Sequence, residues 1–122
     1  NYYFGKLKYS EDSVQREWAK SMRLTFPNQE EGDRGAHINI SGGGVAKHSK
    51  NKESAIKLLE FLSNSKSQKM YSEINFEYPV NVKVEPSEEL VSWGNFREDK
   101  ISIEKIAQLS IDAQKIIDRV GW

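Results

Sequence analysis

Ala36-His37-Ile38-Asn39-Ile40-Ser41, followed by Gly42-Gly43-Gly44 and then by Asn51 to Leu62, is the stretch on which the fold class turns. Ala36, Ile38 and Ile40 fall on one face of an extended segment and His37, Asn39 and Ser41 on the other, the period of two expected of a half-buried strand. The three glycines end or bend it. Asn51 then precedes Ala55, Ile56, Leu58, Leu59, Phe61 and Leu62, a broad apolar stripe at helical spacing. A strand that gives way to a helix points to an α/β or α+β chain.

Upstream, Val14, Trp18 and Met22 recur at intervals of four, with Ser10 or Asp12 available as N-cap, so an amphipathic helix is predicted over Asp12 to Met22. Arg23 to Phe26 alternates polar and apolar residues as a short strand would, and the polar stretch Asn28 to Gly35 reads as a loop. Downstream, the helix breaks at Ser63-Asn64. Ser65 and Gln68 have capping-box spacing, with Met70, Tyr71 and Ile74 as the buried side of a second short helix. Tyr78-Pro79-Val80 runs extended. Two Ile-rich amphipathic stretches, Ser102 to Leu109 and Ser110 to Val120, close the chain, with Gly121 as a stop. Three short strand candidates among several helices make a thin sheet, whose remainder is expected to lie elsewhere.

The chain has 122 residues with 18 basic and 18 acidic side chains, the size of one small globular unit without the clustered positive charge that nucleic acid or an anionic membrane surface requires. No cysteine occurs, which excludes disulfides, thiolate metal sites and cysteine nucleophiles. Apolar runs such as Ala55 to Leu62 are interrupted by Lys57 and Glu60 and fall short of the ~20 residues of a membrane-spanning helix. Asn1-Tyr2-Tyr3-Phe4-Gly5 carries neither an initiator Met nor a basic-then-apolar leader, so the stretch is expected to start in mid-sequence, with any targeting signal upstream.

Most candidate sites have bland readings. The triple glycine and Lys47 miss Walker spacing, because Val45 and Ala46 intervene, and close backbone packing or a strand end is expected there. His37 and His48 have no partner at metal-binding spacing, and no serine stands in a nucleophile elbow. Glu30-Glu31 with Asp33 lacks the alternating oxygen pattern of a calcium loop. Trp18, Trp93 and Trp122 read as core or lobe-edge residues. Tyr2 and Tyr3, by spacing alone, are strand or loop residues facing opposite sides. Their chemistry is more specific: a phenolate is a hard oxygen donor, and ferric iron displaces the phenolic proton well below its usual pKa of about 10 by stabilising the anion.

Asn1-Tyr2-Tyr3-Phe4-Gly5-Lys6-Leu7, then Phe26-Pro27-Asn28-Gln29, His37-Ile38-Asn39-Ile40-Ser41-Gly42, Asn51-Lys52-Glu53 leading into Ala55 to Leu62, Tyr78-Pro79-Val80-Asn81 and Ser92-Trp93-Gly94 together resemble the ferric-iron-binding periplasmic proteins of ABC transporters. The resemblance runs nearly end to end and rests on the order and spacing of these motifs. It implies an α/β chain forming the C-terminal part of a two-lobed type II periplasmic-binding-protein fold, with the N-terminal half missing. It further implies a solute-binding protein rather than an enzyme, in the periplasm or lipid-tethered on the outer face of the cytoplasmic membrane. Its cargo is ferric iron (Fe3+), with or without a synergistic anion such as carbonate, phosphate or citrate, and its partner a membrane permease. Tyr2 and Tyr3 match the family's tandem tyrosine ligands. Asn1 is the candidate anion contact, although it stands one residue ahead of the pair where the family commonly has two.

The resemblance also implies that residues 1–35 belong to the tyrosine-bearing lobe, that 36–80 crosses to the other lobe, and that 81–122 returns with the C-terminal helices. The alternatives are the same fold carrying a polyamine, thiamine or a phosphorylated organic compound, or a truncated interaction remnant without transport function. Either way, this stretch expressed by itself is expected to expose surfaces that a complete fold would bury, and so to self-associate. Size-exclusion chromatography over a range of concentrations checks this; a monomer that melts cooperatively would contradict it.

Overall fold

The computed structural model describes all 122 residues, Asn1–Trp122. Along the chain come α1 (Tyr2–Lys8), α2 (Ser13–Ser21), α3 (Lys52–Leu62), α4 (Ser65–Met70), a π-helical turn (Tyr71–Asn75), α5 (Glu88–Ser92) and α6 (Ile103–Val120). No helix is long and apolar enough to cross a membrane. The residues form two compact units: Asn1–Thr25 with Asn39–Asn95, and Phe26–Ile38 with Phe96–Trp122.

In the first unit, α2 starts at its predicted cap. The Asp12 carboxylate accepts the Val14 amide at 2.8 Å, while the Ser10 hydroxyl accepts the Asp12 amide at 3.2 Å, so both candidate residues serve the same helix start. Helix α3 follows Asn51 as predicted. The capping box does not form at Ser65. Asn64, one residue earlier and in extended conformation, caps α4 by accepting the Ser67 amide at 2.9 Å. Gln68 is thereby released for a tertiary role: buried, it donates to the Leu62 carbonyl and accepts the Val80 amide, both at 2.9 Å, tying the end of α3 to a segment that follows the π turn.

Helix α4 runs directly into the π turn, which ends at Phe76 in left-handed conformation (φ 54°, ψ 47°). Ser72 of that turn is almost fully buried. Its hydroxyl accepts the Ser87 amide at 2.7 Å, and the Ser87 hydroxyl donates to the Ser72 carbonyl at 2.9 Å. Ser87 also caps α5, whose Leu90 is completely buried. Neither α1 nor α5 is visible as a periodic pattern, because seven and five residues are too few for one to emerge.

The expected strands over Ala36 to Ser41 and over Arg23 to Phe26 are not formed. A strand exists only through hydrogen bonds to a neighbour, and this chain supplies one at a single point. There, Ala36 and Glu98 form an isolated parallel bridge: the Ala36 amide donates to the Arg97 carbonyl and the Asp99 amide to the Ala36 carbonyl, both at 2.8 Å. On Arg97, the Gln29 carboxamide takes the place of a second strand, accepting the Arg97 amide at 2.6 Å and donating to its carbonyl at 3.0 Å. The Arg97 guanidinium in turn donates to the carbonyls of Asn28, Glu30 and Asp33, and Phe26 stacks on Phe96 with centroids 4.2 Å apart.

The two Ile-rich stretches are one helix, α6, of 18 residues. Ser102 caps it by accepting the Lys105 amide, and Ser110, expected to start a second helix, sits in its interior and donates to the Ala107 carbonyl at 2.8 Å. Gly121 stops it in left-handed conformation, as predicted. No residue of α3 or α6 is fully buried, despite the apolar stripe on each.

Gly35 has φ +94°, and a Cβ there would stand 2.6 Å from the Glu98 carbonyl carbon and oxygen. Gly35→Ala is therefore expected to destabilise the chain by about 1–3 kcal/mol from backbone strain alone, with the clash added. A urea midpoint followed by circular dichroism checks this; an unchanged midpoint would rule out the close approach of Gly35 to Glu98.

Candidate functional site

Tyr2 and Tyr3 occupy the first turn of α1. A strand would have sent adjacent side chains to opposite faces, whereas a helix separates them by only about 100°. The expectation of opposite-facing tyrosines is thus corrected: both project from one turn. They remain 76% and 65% exposed, so neither phenol is spent on packing. The anchoring face of α1 is carried by Phe4, Leu7 and Lys8, at the three- and four-residue spacing of one helix face, with Leu7 buried.

That face rests on aromatic residues distant in sequence. Phe76, 4% exposed, meets Phe4 edge to face at 5.1 Å between centroids, and Trp93 meets Phe4 the same way at 5.7 Å. Tyr9 stacks on Phe76 at 6.0 Å. The Lys8 ammonium lies 5.3 Å from the centre of the Phe76 ring and is ion-paired with Glu89, whose other carboxylate oxygen accepts the Trp93 indole N–H at 3.2 Å. Glu89 therefore locks a cation and an indole around one aromatic cluster.

Asn1 is the cap residue of α1, but its side chain caps nothing; its Nδ2 donates to the Asn75 carbonyl at 3.0 Å, and its own carbonyl accepts the Gly5 amide at 2.9 Å. Beside it opens a cavity of about 730 Å³ whose wall includes Phe4, Trp93, Arg16 and Arg23. Arg16 donates to the carbonyls of Ser10 and Glu11, and Arg23 to those of Lys20 and Met22. Both guanidiniums are thus bonded to neutral carbonyls, with Glu89 on the same cavity lining.

The remaining sequence candidates lie apart from this arrangement or have structural roles. His37 and His48 are exposed, and no three His, Cys, Asp or Glu side chains gather into a possible metal cage. Of the triple glycine only Gly43 is closely packed, where a Cβ would stand 3.0 Å from a Leu59 methyl; nothing lies within 4 Å of a Cβ at Gly42 or Gly44. In the Glu30-Glu31-Asp33 loop, the carbonyls of Glu30 and Asp33 accept hydrogen bonds from the Arg97 guanidinium. Trp18 and Trp122 are exposed and outside the core, whereas Trp93 joins it. Partial burial raises the Tyr78 phenol above its ordinary pKa.

Phe76, Trp93, Glu89 and the Asn75 carbonyl are the supporting groups that the sequence did not disclose. Each lies more than 65 positions from α1, and neither composition nor spacing encodes such a contact; Trp93 is legible as a core or lobe-edge residue, but not its partner Phe4.

No family model matches the chain. Among curated proteins it is 40% identical over 121 residues to "Iron uptake protein A1" of Synechocystis sp., an alignment that takes in 99% of this chain and 33% of that protein. It is 28% identical over 99 residues to the "Major ferric iron-binding protein" of Neisseria meningitidis, taking in 81% of this chain and 29% of that one. Among solved structures it superposes with a TM-score of 0.89 and 41% identity on a ferric binding protein from Campylobacter jejuni, covering 99% of this chain and 38% of that one. A Trichodesmium protein in complex with iron and citrate ligands gives a TM-score of 0.83 at 43% identity, covering 100% of this chain and 38% of that one. The chain thus spans about a third of the length of the curated relatives it matches. It carries part of the two-lobed type II periplasmic-binding fold, and its relatives are named for iron uptake and iron binding rather than for a catalysed reaction.

Proposed function

We propose that this chain, a homologue along its whole length of ferric iron-binding proteins, supplies the tyrosine pair of a solute-binding component that captures ferric iron for an ABC transporter. The observation that carries this reading is the pair of exposed phenols, Tyr2 and Tyr3, on one turn of a helix whose opposite face is anchored. Solvent-exposed aromatics of this size gain nothing from burial, and two hard oxygen donors on one turn suit a hard trivalent cation.

In this mechanism the two phenols lose their protons as iron binds, and a small anion and ligands from outside residues 1–122 complete the coordination. Iron in the cleft between lobes then draws them together, and the closed form is what the membrane permease reads. The assignment of residues 1–35, 36–80 and 81–122 to the tyrosine lobe, the other lobe and the return is part of the same proposal, as is a periplasmic or lipid-tethered location. No covalent bond of a substrate changes, so no residue has a catalytic role.

Titration with ferric citrate, followed by visible absorption, tests the pair. A saturable phenolate-to-iron band is expected, and Tyr2→Phe/Tyr3→Phe is expected to abolish it; a band that survives the double substitution would remove the pair from the site. Because each phenolate formed below its ordinary pKa releases one proton, apparent affinity is expected to fall by about 100-fold per pH unit of acidification for two phenols. Affinity independent of pH would exclude phenolate ligation.

A further inference from the structure

Helix α1 has only seven residues, too few to hold a helical conformation on its own, so the pose of its two tyrosines must be imposed by what it rests on. Besides its packing on α2, it is held at both ends and along one face by the single short segment Glu73–Phe76. At one end of α1 the Asn1 amide donates to the Asn75 carbonyl at 3.0 Å. At the other the Tyr9 hydroxyl reaches the Glu73 carbonyl at 3.5 Å. Between them Phe76 packs on Phe4 and Tyr9, and a Cβ on Gly5 would stand 3.2 Å from its ring, so the helix backbone itself lies against the aromatic edge.

The segment is conformationally unusual. It closes a π-helical turn, a form that occurs mostly as single turns and often near functional sites. Its last residue, Phe76, is a buried aromatic at positive φ, a conformation that persists only where the surroundings over-determine it. The turn is in addition the direct continuation of α4, which packs on α3, and Ser72 within it is held by the reciprocal hydrogen bonds to Ser87.

We infer that the turn Tyr71–Phe76 is a positioning element of the tyrosine pair alongside α2, and that Asn1 is a positioning residue bonded to it, pinning the first turn of α1 to the Asn75 carbonyl rather than serving chiefly as an anion contact. The inference rests on the reading of Tyr2 and Tyr3 as iron ligands. Its consequence is that the orientation of the two phenols is coupled to α4, through the turn that α4 becomes.

Asn1 is exposed and its side chain caps nothing, so Asn1→Ala removes the tether and leaves the rest of the fold in place, which far-ultraviolet circular dichroism verifies. Amide hydrogen exchange gives a readout that needs no iron. The Gly5 and Lys6 amides are expected to exchange about tenfold faster in Asn1→Ala, with α6 amides unchanged, as the loss of one hydrogen bond would allow. Asn1→Gln, which can still donate, is expected to recover part of that protection, and Phe76→Leu to speed the same amides further. Unchanged exchange at Gly5 and Lys6 would overturn the inference.

In the iron arm, Asn1→Ala is titrated with ferric citrate and with ferric nitrilotriacetate. Equal weakening with both, together with a shifted phenolate band, is expected for a positioning residue. Weakening confined to citrate would make Asn1 an anion contact and overturn its assignment. Absence of any band in the parent chain would count against the iron reading, while the exchange result would still decide the tether.

Discussion

The edge-to-face contact of Phe76 with Phe4 is the interaction on which the first unit depends. Aromatic pairs in this geometry contribute about 0.5–1.5 kcal/mol beyond the area they bury, and here one ring serves several partners at once. Phe76 also stacks on Tyr9, lies under the Lys8 ammonium and neighbours Trp93. Because it follows the π turn immediately, fixing this ring fixes the end of α4, the Ser72–Ser87 hydrogen bonds and the start of α5. Burying the Phe4–Leu7 face of α1 has an obligatory counterpart: the face that carries Tyr2 and Tyr3 is turned outward. Presentation of the phenols follows from how the opposite side of the helix is packed.

The second unit reaches order by a different route. It has one bridge in place of a sheet, and its loop is held by side chains that imitate backbone: the Gln29 carboxamide pairs with Arg97 as a neighbouring strand would, and the Arg97 guanidinium gathers three carbonyls of the loop. Such hydrogen bonds satisfy groups that would otherwise need a strand partner or water. They contribute modestly to stability, each about 0.5–1.5 kcal/mol net, but they determine the path of the chain strictly because the donors are few and fixed in direction.

Five hydrophobic side chains are buried, Leu7, Ala19, Ala36, Phe76 and Leu90, while Ile56, Leu58 and Phe61 of α3 and Ile116 of α6 stay roughly half exposed. A stripe of this breadth on a helix is ordinarily a core face. The relatives are about three times as long as this chain, and the same segments in those solved structures superpose closely on it. The chain therefore carries a part of a larger fold, and within this chain these apolar faces stay open.

The sequence by itself determined the helices whose signals are local: α2 from Asp12 and its four-residue apolar repeat, α3 from its stripe after Asn51, and the end of α6 from Gly121. It also carried, in the order of its short motifs, the resemblance that the comparisons uphold. It erred where a local pattern was compatible with two outcomes. The alternation of Ala36, Ile38 and Ile40 requires a strand partner that this chain supplies only at Glu98, and Ser110 to Val120 read as a separate stretch although nothing interrupts α6 at Ser110. Tertiary structure alone decided that Tyr2 and Tyr3 share a helical turn and that Asn1 is tied to Asn75. The physical reason is that a seven-residue helix cannot specify itself. Its conformation is conferred by packing on α2 and by Phe76 and Trp93, residues that the chain brings to it from more than 65 positions away.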